Sequence, residues 1–458
     1  EKMNLSEYKN IYFIGIGGIG MSALARYFNK KDINIFGYDK VKNRICEDLE
    51  NEGVNIHYLE EEEISLDVYD TLVVYTPAIP EDHIELDFFR KNNYIILKRS
   101  ELLGIISKNH FTIAVSGTHG KTTTSTILTH LLKESNLDCT SFVGGVSKNY
   151  NSNVLIGTED SIMIVEADEY DRSFLHLNPD IAIITSIDAD HLDIYKNKYN
   201  LELAFSEFTQ KIKSGGSLYI EANIDSTFIK RKDISLYTYS INIESDFSAK
   251  NISKSGNTMK FDFSCSDENI QNLNLNMGGD FNVLNSVAAI SVAKKMGCSN
   301  TSISKSLSTF KGINRRFDIH INNERYIYID DYAHHPEEVK LSICAVKKMY
   351  PKRNLTVVFQ PHLYSRTIDF LDDFAKALSI ADQLILTEIY AAREKDCLEI
   401  NSSMLLQKCS LKKKFLCSLK EVPDFLFERD LDIVMTLGAG DISTIVEIIK
   451  KRFDDKNI

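Results

Sequence analysis

The stretch Ser116-Gly-Thr-His-Gly-Lys-Thr-Thr-Thr124 constrains this chain more than any other, because it stands between an apolar run, Phe111 to Val115, and a helix-forming run, Ser125 to Lys133. A strand that stops at a glycine turn and restarts as a helix aims several backbone N–H groups into one small volume, which suits phosphate. A lysine at the helix entry reaches the β and γ phosphates, and the next threonine offers its hydroxyl to Mg²⁺. The spacing, Gly117-x-x-Gly120-Lys121-Thr122, departs from the common G-x-x-x-x-G-K-T form. A plain glycine turn is the bland alternative, and strand, helix, lysine and threonine together argue against it. Ser116, Gly117, Thr118, Gly120, Lys121, Thr122 and Thr123 are therefore the expected contacts to ATP.

A similar opening stands at the start of the chain. The apolar run Asn10 to Ile14 leads through Gly15-Ile-Gly-Gly-Ile-Gly20 into the helix-forming Met21 to Phe28. Gly15, Gly17, Gly18 and Gly20 fit any dinucleotide or nucleotide-sugar diphosphate, and Asp39 at the end of the next strand fits a ribose hydroxyl. Taken alone this region also fits an NAD-dependent oxidoreductase, or a packing turn with no ligand. Further strands are expected at 33–38, 71–75, 94–97, 162–165 and 181–184. A third unit carries strands at 326–329, 355–359, 383–386 and 433–436. Residues 234–275, rich in Ser, Asn and Asp, read as a small β excursion inside the second unit.

The expected fold is α/β in three domains: a Rossmann-like domain over 1–107, a central P-loop domain with a parallel sheet over 108–313, and a Rossmann-like domain over 314–458. In open parallel sheets ligands gather beyond the C-terminal ends of the strands. Gly15, Ser116, Glu166, Asp331, Gln360, Glu388 and Gly438 each fall at such an end.

Two acidic loops follow strands in the second unit, Glu166-Ala-Asp-Glu-Tyr-Asp171 and Asp188-Ala-Asp-His191. Carboxylates and an imidazole at neighbouring strand ends suit a divalent ion shared by ATP and a second anion; acidic loops that merely solvate a surface are the alternative. In the third unit Asp330-Asp331-Tyr332-Ala-His334-His335-Pro336, with Arg315-Arg316 upstream and Gln360, His362 and Arg366 downstream, suits the handling of anions and amines. Residue pattern alone assigns no roles there.

The chain has 65 acidic against 53 basic residues, a formal net charge of −12, and no basic stripe, which argues against nucleic acid and anionic membrane as partners. The run Lys412-Lys413-Lys414 reads as a solvated face. The eight cysteines are scattered without a C-x-x-C pair, so neither a zinc ribbon nor a disulfide framework is expected. No basic-then-apolar leader and no membrane-length apolar run stands out, so a cytoplasmic location is expected.

Together these motifs resemble the Mur ligases, from Gly15-Ile-Gly-Gly-Ile-Gly-Met-Ser-Ala-Leu-Ala25 through Gly117-Thr-His-Gly-Lys-Thr122, Glu166-Ala-Asp-Glu169 and Asp190-His191 to Asp331-Tyr332 and His334-His335-Pro336. The resemblance is strongest to the members that join L-alanine to the lactyl carboxylate of UDP-N-acetylmuramate. It implies an ATP-dependent ligase that works through an acyl phosphate, with Mg²⁺ (or Mn²⁺) as cofactor and UDP-N-acetylmuramate, L-alanine and ATP as partners, acting as a monomer or homodimer. A Mur-type ligase that adds a peptide instead is the nearest alternative.

Carried onto this chain, the resemblance makes Lys121 and Thr122 the phosphate and metal residues, with Glu166 and His191 as further metal ligands. It assigns Asn282, Asn285, Arg316 and Asp331 to ATP, His119 and Thr76 to the nucleotide sugar, and Tyr332, His334 and Arg366 to the amino acid, with His334 also as candidate base. Three positions depart from the pattern: Phe281 stands where His is common, Leu363 where Arg is frequent, and Thr76-Pro77-Ala78-Ile79 where Ser-Ser-Ala-Ile is usual.

Overall fold

A computed structural model describes residues 3–188, 195, 197–255, 258–266, 268–392, 394–395, 397 and 399–456. By their internal contacts these form two compact units, Glu1–Ser248 with Ser286–Ser306, and Ala249–Asn285 with Leu307–Ile458.

The first unit holds a five-stranded parallel sheet in the order β3-β2-β1-β4-β5, made of β1 (Asn10–Ile14), β2 (Asn34–Tyr38), β3 (Asn55–His57), β4 (Thr71–Tyr75) and β5 (Ile95–Lys98). Its strands read as apolar runs rather than alternating ones because both faces are covered. Ile11 and Phe13 of β1 join one core cluster, while Tyr12 and Ile14 join another on the opposite face.

The same unit carries β6 (Thr112–Ser116), β7 (Cys139–Ser147), β8 (Ser152–Leu155), β9 (Ile162–Glu166), β10 (Ile181–Ile184), β11 (Ser217–Glu221) and β12 (Ser235–Ile241), ordered β12-β11-β10-β6-β9-β7-β8. All neighbouring pairs are parallel except β7 with β8. β6 therefore lies between β9 and β10, and the strand ends carrying Ser116, Glu166 and Ile184 stand side by side. From β6 the chain turns through Gly117 (φ +130°) and Gly120 (φ +82°) into the helix Lys121–Glu134. That helix is buried although rich in threonine, because the hydroxyls bond to its own carbonyls: Thr126 donates to Thr122 O at 2.6 Å and Thr129 to Ser125 O at 2.8 Å.

In the second unit β13 (Phe247–Ser255), β14 (Thr258–Cys265) and β15 (Asn269–Leu275) lie in the order β15-β14-β13, with β14 and β15 antiparallel. The stretch 234–275 thus holds the expected β segments; β12 extends the parallel sheet of the first unit, and most of the other three belong to the second. The six-stranded sheet β16-β17-β21-β18-β19-β20 follows, from β16 (Asp318–Asn322), β17 (Ile327–Asp331), β18 (Leu355–Phe359), β19 (Gln383–Leu386), β20 (Lys414–Leu416) and β21 (Ile433–Leu437). It is parallel except for edge strand β16. Here too alternate residues enter opposite clusters, Ile327 and Ile329 one and Tyr328 the other.

Strands β3, β7, β8, β11, β16 and β20 escape the sequence reading. β3 and β20 are only three residues long, and β7 carries two glycines among small residues, so the apolar signal is diluted. Lys412 and Lys413 are exposed as expected, whereas Lys414 turns inward and its ammonium donates to the carbonyls of Leu406 and Cys409, capping the helix Ser402–Lys408. No helix among the described residues is long and apolar enough to cross a membrane.

Candidate active site

At the end of β6 the Lys121 ammonium donates to Gly117 O at 2.7 Å and to both Glu169 oxygens, at 2.9 and 2.8 Å. Burial works against its charge, but the carboxylates of Glu169, Asp168 and Glu166 outweigh that effect and hold the ammonium above its ordinary value. The Thr122 hydroxyl donates to Glu166 Oε1 at 2.9 Å, while the Gly144 N–H donates to Glu166 Oε2 at 2.6 Å. A β-carbon at Gly144 would fall 2.6 Å from that carboxylate, so any larger residue would push Glu166 from this position.

The other flank of the loop is fixed from β10. Thr118 N donates to Ser186 O at 3.1 Å, His119 N donates to Ser186 Oγ at 2.8 Å, and the Thr185 hydroxyl donates to His119 O. Gly117 also has a steric reason, because a β-carbon there would meet Thr185 Oγ1 at 2.1 Å. The His119 ring lies 3.6 Å from Asp188 Oδ2. Gly120 supplies no side-chain cap to the helix Lys121–Glu134, which leaves its first N–H groups for an anion. Ser116 Oγ is buried with no partner among the described residues, a second unused polar group in the loop.

Ser116, Gly117, Thr118, His119, Gly120, Lys121, Thr122 and Thr123 are thus brought together with Glu166, as the sequence pattern requires. His191 lies outside the described residues. Two supporting residues escaped the sequence reading: Glu169, wholly buried against Lys121, and Ser186, which props the loop. Glu169 stands inside the Glu166-Ala-Asp-Glu169 motif, and its burial beside a lysine was the missing signal.

In the first sheet Gly15 adopts φ +85° just past β1, and the helix Ile19–Asn29 starts at Gly18 without a side-chain cap. Asp39 acts within this turn, accepting from Gly17 N at 2.8 Å and from Val41 N at 3.2 Å. Thr76 packs on the same turn, its Cγ2 standing 3.1 Å from where a Gly15 β-carbon would be.

In the second unit the adjacent arginines divide the work. Arg315 donates from Nε to the buried Asp330 at 2.9 Å and from Nη2 to Gly438 O at 2.6 Å, while the Arg316 guanidinium lies 4.9 Å over the Tyr332 ring. Asp331 is buried and receives the Ser342 hydroxyl. Burial pushes its carboxyl up to about 6, against the opposing pull of Ser342 and Arg316. His334 Nδ1 stands 3.0 Å from Tyr332 O and 3.4 Å from Glu338 Oε2. His335 is a helix cap: its ring accepts from Glu337 N at 3.4 Å, Glu338 reaches back to its N–H at 3.3 Å, and Pro336 starts the helix Pro336–Met349.

Arg366 is nearly buried and its guanidinium stands 3.4 Å from His362 Nδ1; the His362 ring lies 5.8 Å from that of His334. Tyr332, His334, His362 and Arg366 therefore form one neighbourhood. Leu363 is buried at φ +70°, an unusual backbone for a branched residue, and donates its N–H to Tyr390 O at 2.9 Å. Asn282 is buried and donates to Gly278 O at 2.7 Å, Asn285 is buried one turn on, and Phe281 packs edge-on against Phe317 at 5.9 Å.

Three family models match this chain in succession. Residues 10–111 match the model described as Mur ligase family, catalytic domain; 115–293 the Mur ligase middle domain; and 315–440 the Mur ligase, glutamate ligase domain. The chain is 45% identical to a UDP-N-acetylmuramate–L-alanine ligase of Flavobacterium psychrophilum, over 99% of this chain and 100% of that one. It is 42% identical to the protein of the same name from Phocaeicola vulgatus, over 97% and 98%. Among solved structures it is similar to a UDP-N-acetylmuramate–alanine ligase from Thermotoga maritima, with TM-score 0.81 at 26% identity over 98% and 99% of the two chains. A murein peptide ligase from Psychrobacter arcticus shares the fold, with TM-score 0.72 at 23% identity over 96% and 98%.

Proposed function

The chain belongs to the Mur ligase family, and from that premise we propose how its residues carry the reaction. It is an ATP-dependent ligase that joins L-alanine to UDP-N-acetylmuramate in peptidoglycan precursor synthesis. The observation that carries the reading is that, at the ends of β6 and β9, the Lys121 ammonium is held on Glu169 while the adjacent Thr122 hydroxyl is held on Glu166.

A carboxylate is a poor electrophile, so one of its oxygens must first become a leaving group. In this account the lactyl carboxylate attacks the γ-phosphorus, the bond to the β,γ-bridging oxygen breaks, and ADP leaves an acyl phosphate behind. Such a transfer depends on positioning and on neutralising charge. The loop N–H groups orient the phosphates, and Lys121 exchanges part of its contact with Glu169 for phosphate oxygens. Arg316 adds a second cation. The amine of L-alanine then attacks the acyl carbon and inorganic phosphate departs; in this reading His334, whose ring contacts Tyr332 O and Glu338, takes the amine proton. Exclusion of water during these steps protects the acyl phosphate from hydrolysis.

Thr122 and Glu166 are hard oxygen donors 2.9 Å apart, which fits Mg²⁺, or Mn²⁺ in its place, with His191 as a further candidate. When bound, the ion would neutralise phosphate charge. We assign the UDP group to residues 1–107 through Gly15, Gly17, Gly18, Gly20, Asp39 and Thr76, with His119 toward the sugar. ATP is assigned to 108–313 with Asn282 and Asn285, and to Arg316 and Asp331 of the third domain, 314–458. Tyr332, His334 and Arg366 receive the amino acid. The substrates are water-soluble metabolites, and we place the reaction in the cytoplasm, carried out by a monomer or homodimer.

The test is phosphate release from ATP and Mg²⁺ with UDP-N-acetylmuramate and L-alanine, glycine or L-serine added in turn. Release should require the nucleotide sugar and be fastest with L-alanine. Release that ignores the nucleotide sugar, or that needs a peptide, would contradict the reading.

A further inference from the structure

Beside the glycine turn of the first sheet stands a cation that no described residue pairs with. Arg99 directly follows β5 and opens the helix Arg99–Ser107. Its side chain drapes over Gly20: a β-carbon at that glycine would lie 2.9 Å from Arg99 Nη1 and 3.3 Å from Cζ. The residue is half-buried, yet among the described residues its guanidinium makes no hydrogen bond and no ion pair. Three other arginines of the same unit sit on carboxylates, Arg26 on Glu52 at 2.8 Å, Arg172 on Glu207 at 3.2 Å and Arg231 on Asp233 at 2.5 Å, while Arg44, which has no such partner among the described residues, is exposed rather than half-buried. In a chain with twelve more acidic than basic side chains, a sheltered arginine without a carboxylate is out of character.

We propose that Arg99 is a substrate-binding residue whose guanidinium takes oxygens of the diphosphate of the nucleotide sugar over the Gly15–Gly20 turn. The inference rests on the nucleotide-sugar reading of the first domain and names a residue that reading left out. Three observations carry it. The arginine is at the C-terminal edge of the sheet, where ligands of open parallel sheets gather. Its planar fork of donors matches two phosphate oxygens at once, and partial burial strengthens such bonds. Gly20 lets the arginine cross the turn at a distance no side chain would permit. Arg99 also lines a narrow crevice with Glu166, Ala167 and Asp168, so it stands between the diphosphate turn and the acidic loop of the phosphoryl-transfer site. The bland alternative is an apolar stem packed on a glycine with its head in water.

The experiment is titration calorimetry of the full-length protein, R99A and R99K with uridine, UDP and UDP-N-acetylmuramate, together with the KM for ATP. R99A should bind UDP and UDP-N-acetylmuramate roughly 10- to 100-fold more weakly, the loss expected for a charge-assisted hydrogen bond. Uridine affinity and the KM for ATP should be unchanged, which also reports that the variant is folded, and R99K should regain part of the loss. Unchanged UDP affinity in R99A overturns the proposal. Equal weakening of uridine and UDP indicates a packing role and overturns it too. Weakening confined to UDP-N-acetylmuramate, with UDP unchanged, overturns the diphosphate contact as well. If the wild-type protein itself binds neither UDP nor UDP-N-acetylmuramate, the nucleotide-sugar reading fails independently of any variant.

Discussion

The lysine loop after β6 and the aspartate-histidine loop after β17 occupy equivalent places in their sheets, yet they are built on different principles. The first works through the backbone: two glycines at positive φ, a helix entry without a cap, and one lysine held by one buried glutamate. The second works through side chains with divided duties. Of the two arginines that lie over its Tyr332 ring, Arg315 is also tied to Asp330 and Gly438 O; of its two histidines, His335 caps a helix and His334 stands beside Tyr332 and Glu338. A backbone site is written in one short segment. A side-chain site depends on which neighbour each residue finds after folding.

The largest effect should come from Lys121. K121A is expected to lower kcat by about a thousandfold, the scale of losing a principal electrostatic contact in the transition state, while the affinity for UDP-N-acetylmuramate stays the same. The change also strands Glu169, which is wholly buried, and should cost roughly 3–5 kcal/mol of stability. The double variant K121A/E169Q separates the two consequences: it should recover most of the stability in urea titration and none of the turnover. Turnover restored in the double variant would break the comparison.

Next in size is the contrast between the adjacent arginines. R315M leaves the fully buried Asp330 with the Thr436 hydroxyl at 2.7 Å as its one remaining side-chain partner among the described residues, and should destabilise by roughly 3 kcal/mol or more. R316M, which takes one opposing charge from the buried Asp331, should destabilise less than R315M and lower kcat by about a hundredfold. The reverse pattern would mean that their duties have been exchanged.

Asp331 offers a test by pH. Its carboxyl is pushed up to about 6 from 3.8, so the folded chain holds this proton more tightly than the unfolded chain across that window. The stability from this group is present below pH 4 and is lost as pH rises through 6, a change of roughly 2–3 kcal/mol. D331N removes the titration. The difference in unfolding free energy between wild type and D331N should therefore shift in favour of the variant from pH 4 to 6.5; parallel curves would refute the burial argument.

The smallest expected effect separates the two histidines. H335A should cost about 1 kcal/mol through loss of the cap and leave kcat nearly unchanged, whereas H334A should lower kcat without a comparable change in the urea midpoint. Equal effects from both would blur the division proposed for this loop.

How much of this was legible in the sequence follows from the same contrast. The strands that carry the site, β1, β6, β9, β10, β17, β18, β19 and β21, announce themselves as apolar runs because they are covered on both faces. Edge and small-residue strands such as β3, β7 and β20 do not. The loop Ser116–Thr124 could be read directly, since glycine, lysine and threonine act through local geometry. Glu169 could not be singled out from its acidic neighbours, because only its burial against Lys121 distinguishes it. The roles of Arg315 and His335 were equally hidden: one depends on Asp330 and Gly438, which lie 15 and 123 positions away in sequence, and the other on the helix it begins. Asp39 read as a ribose contact from its place after β2; in the structure its carboxylate accepts from Gly17 N of the glycine turn and from Val41 N just beyond β2.

The central claim is that a phosphoryl group passes from ATP to the lactyl carboxylate before the amide forms. UDP-N-acetylmuramate labelled with ¹⁸O in both carboxylate oxygens, turned over with ATP and L-alanine, tests it directly by mass spectrometry of the released phosphate. One ¹⁸O should appear in each inorganic phosphate and one should remain in the amide carbonyl. Unlabelled phosphate accompanying normal amide formation would contradict the account.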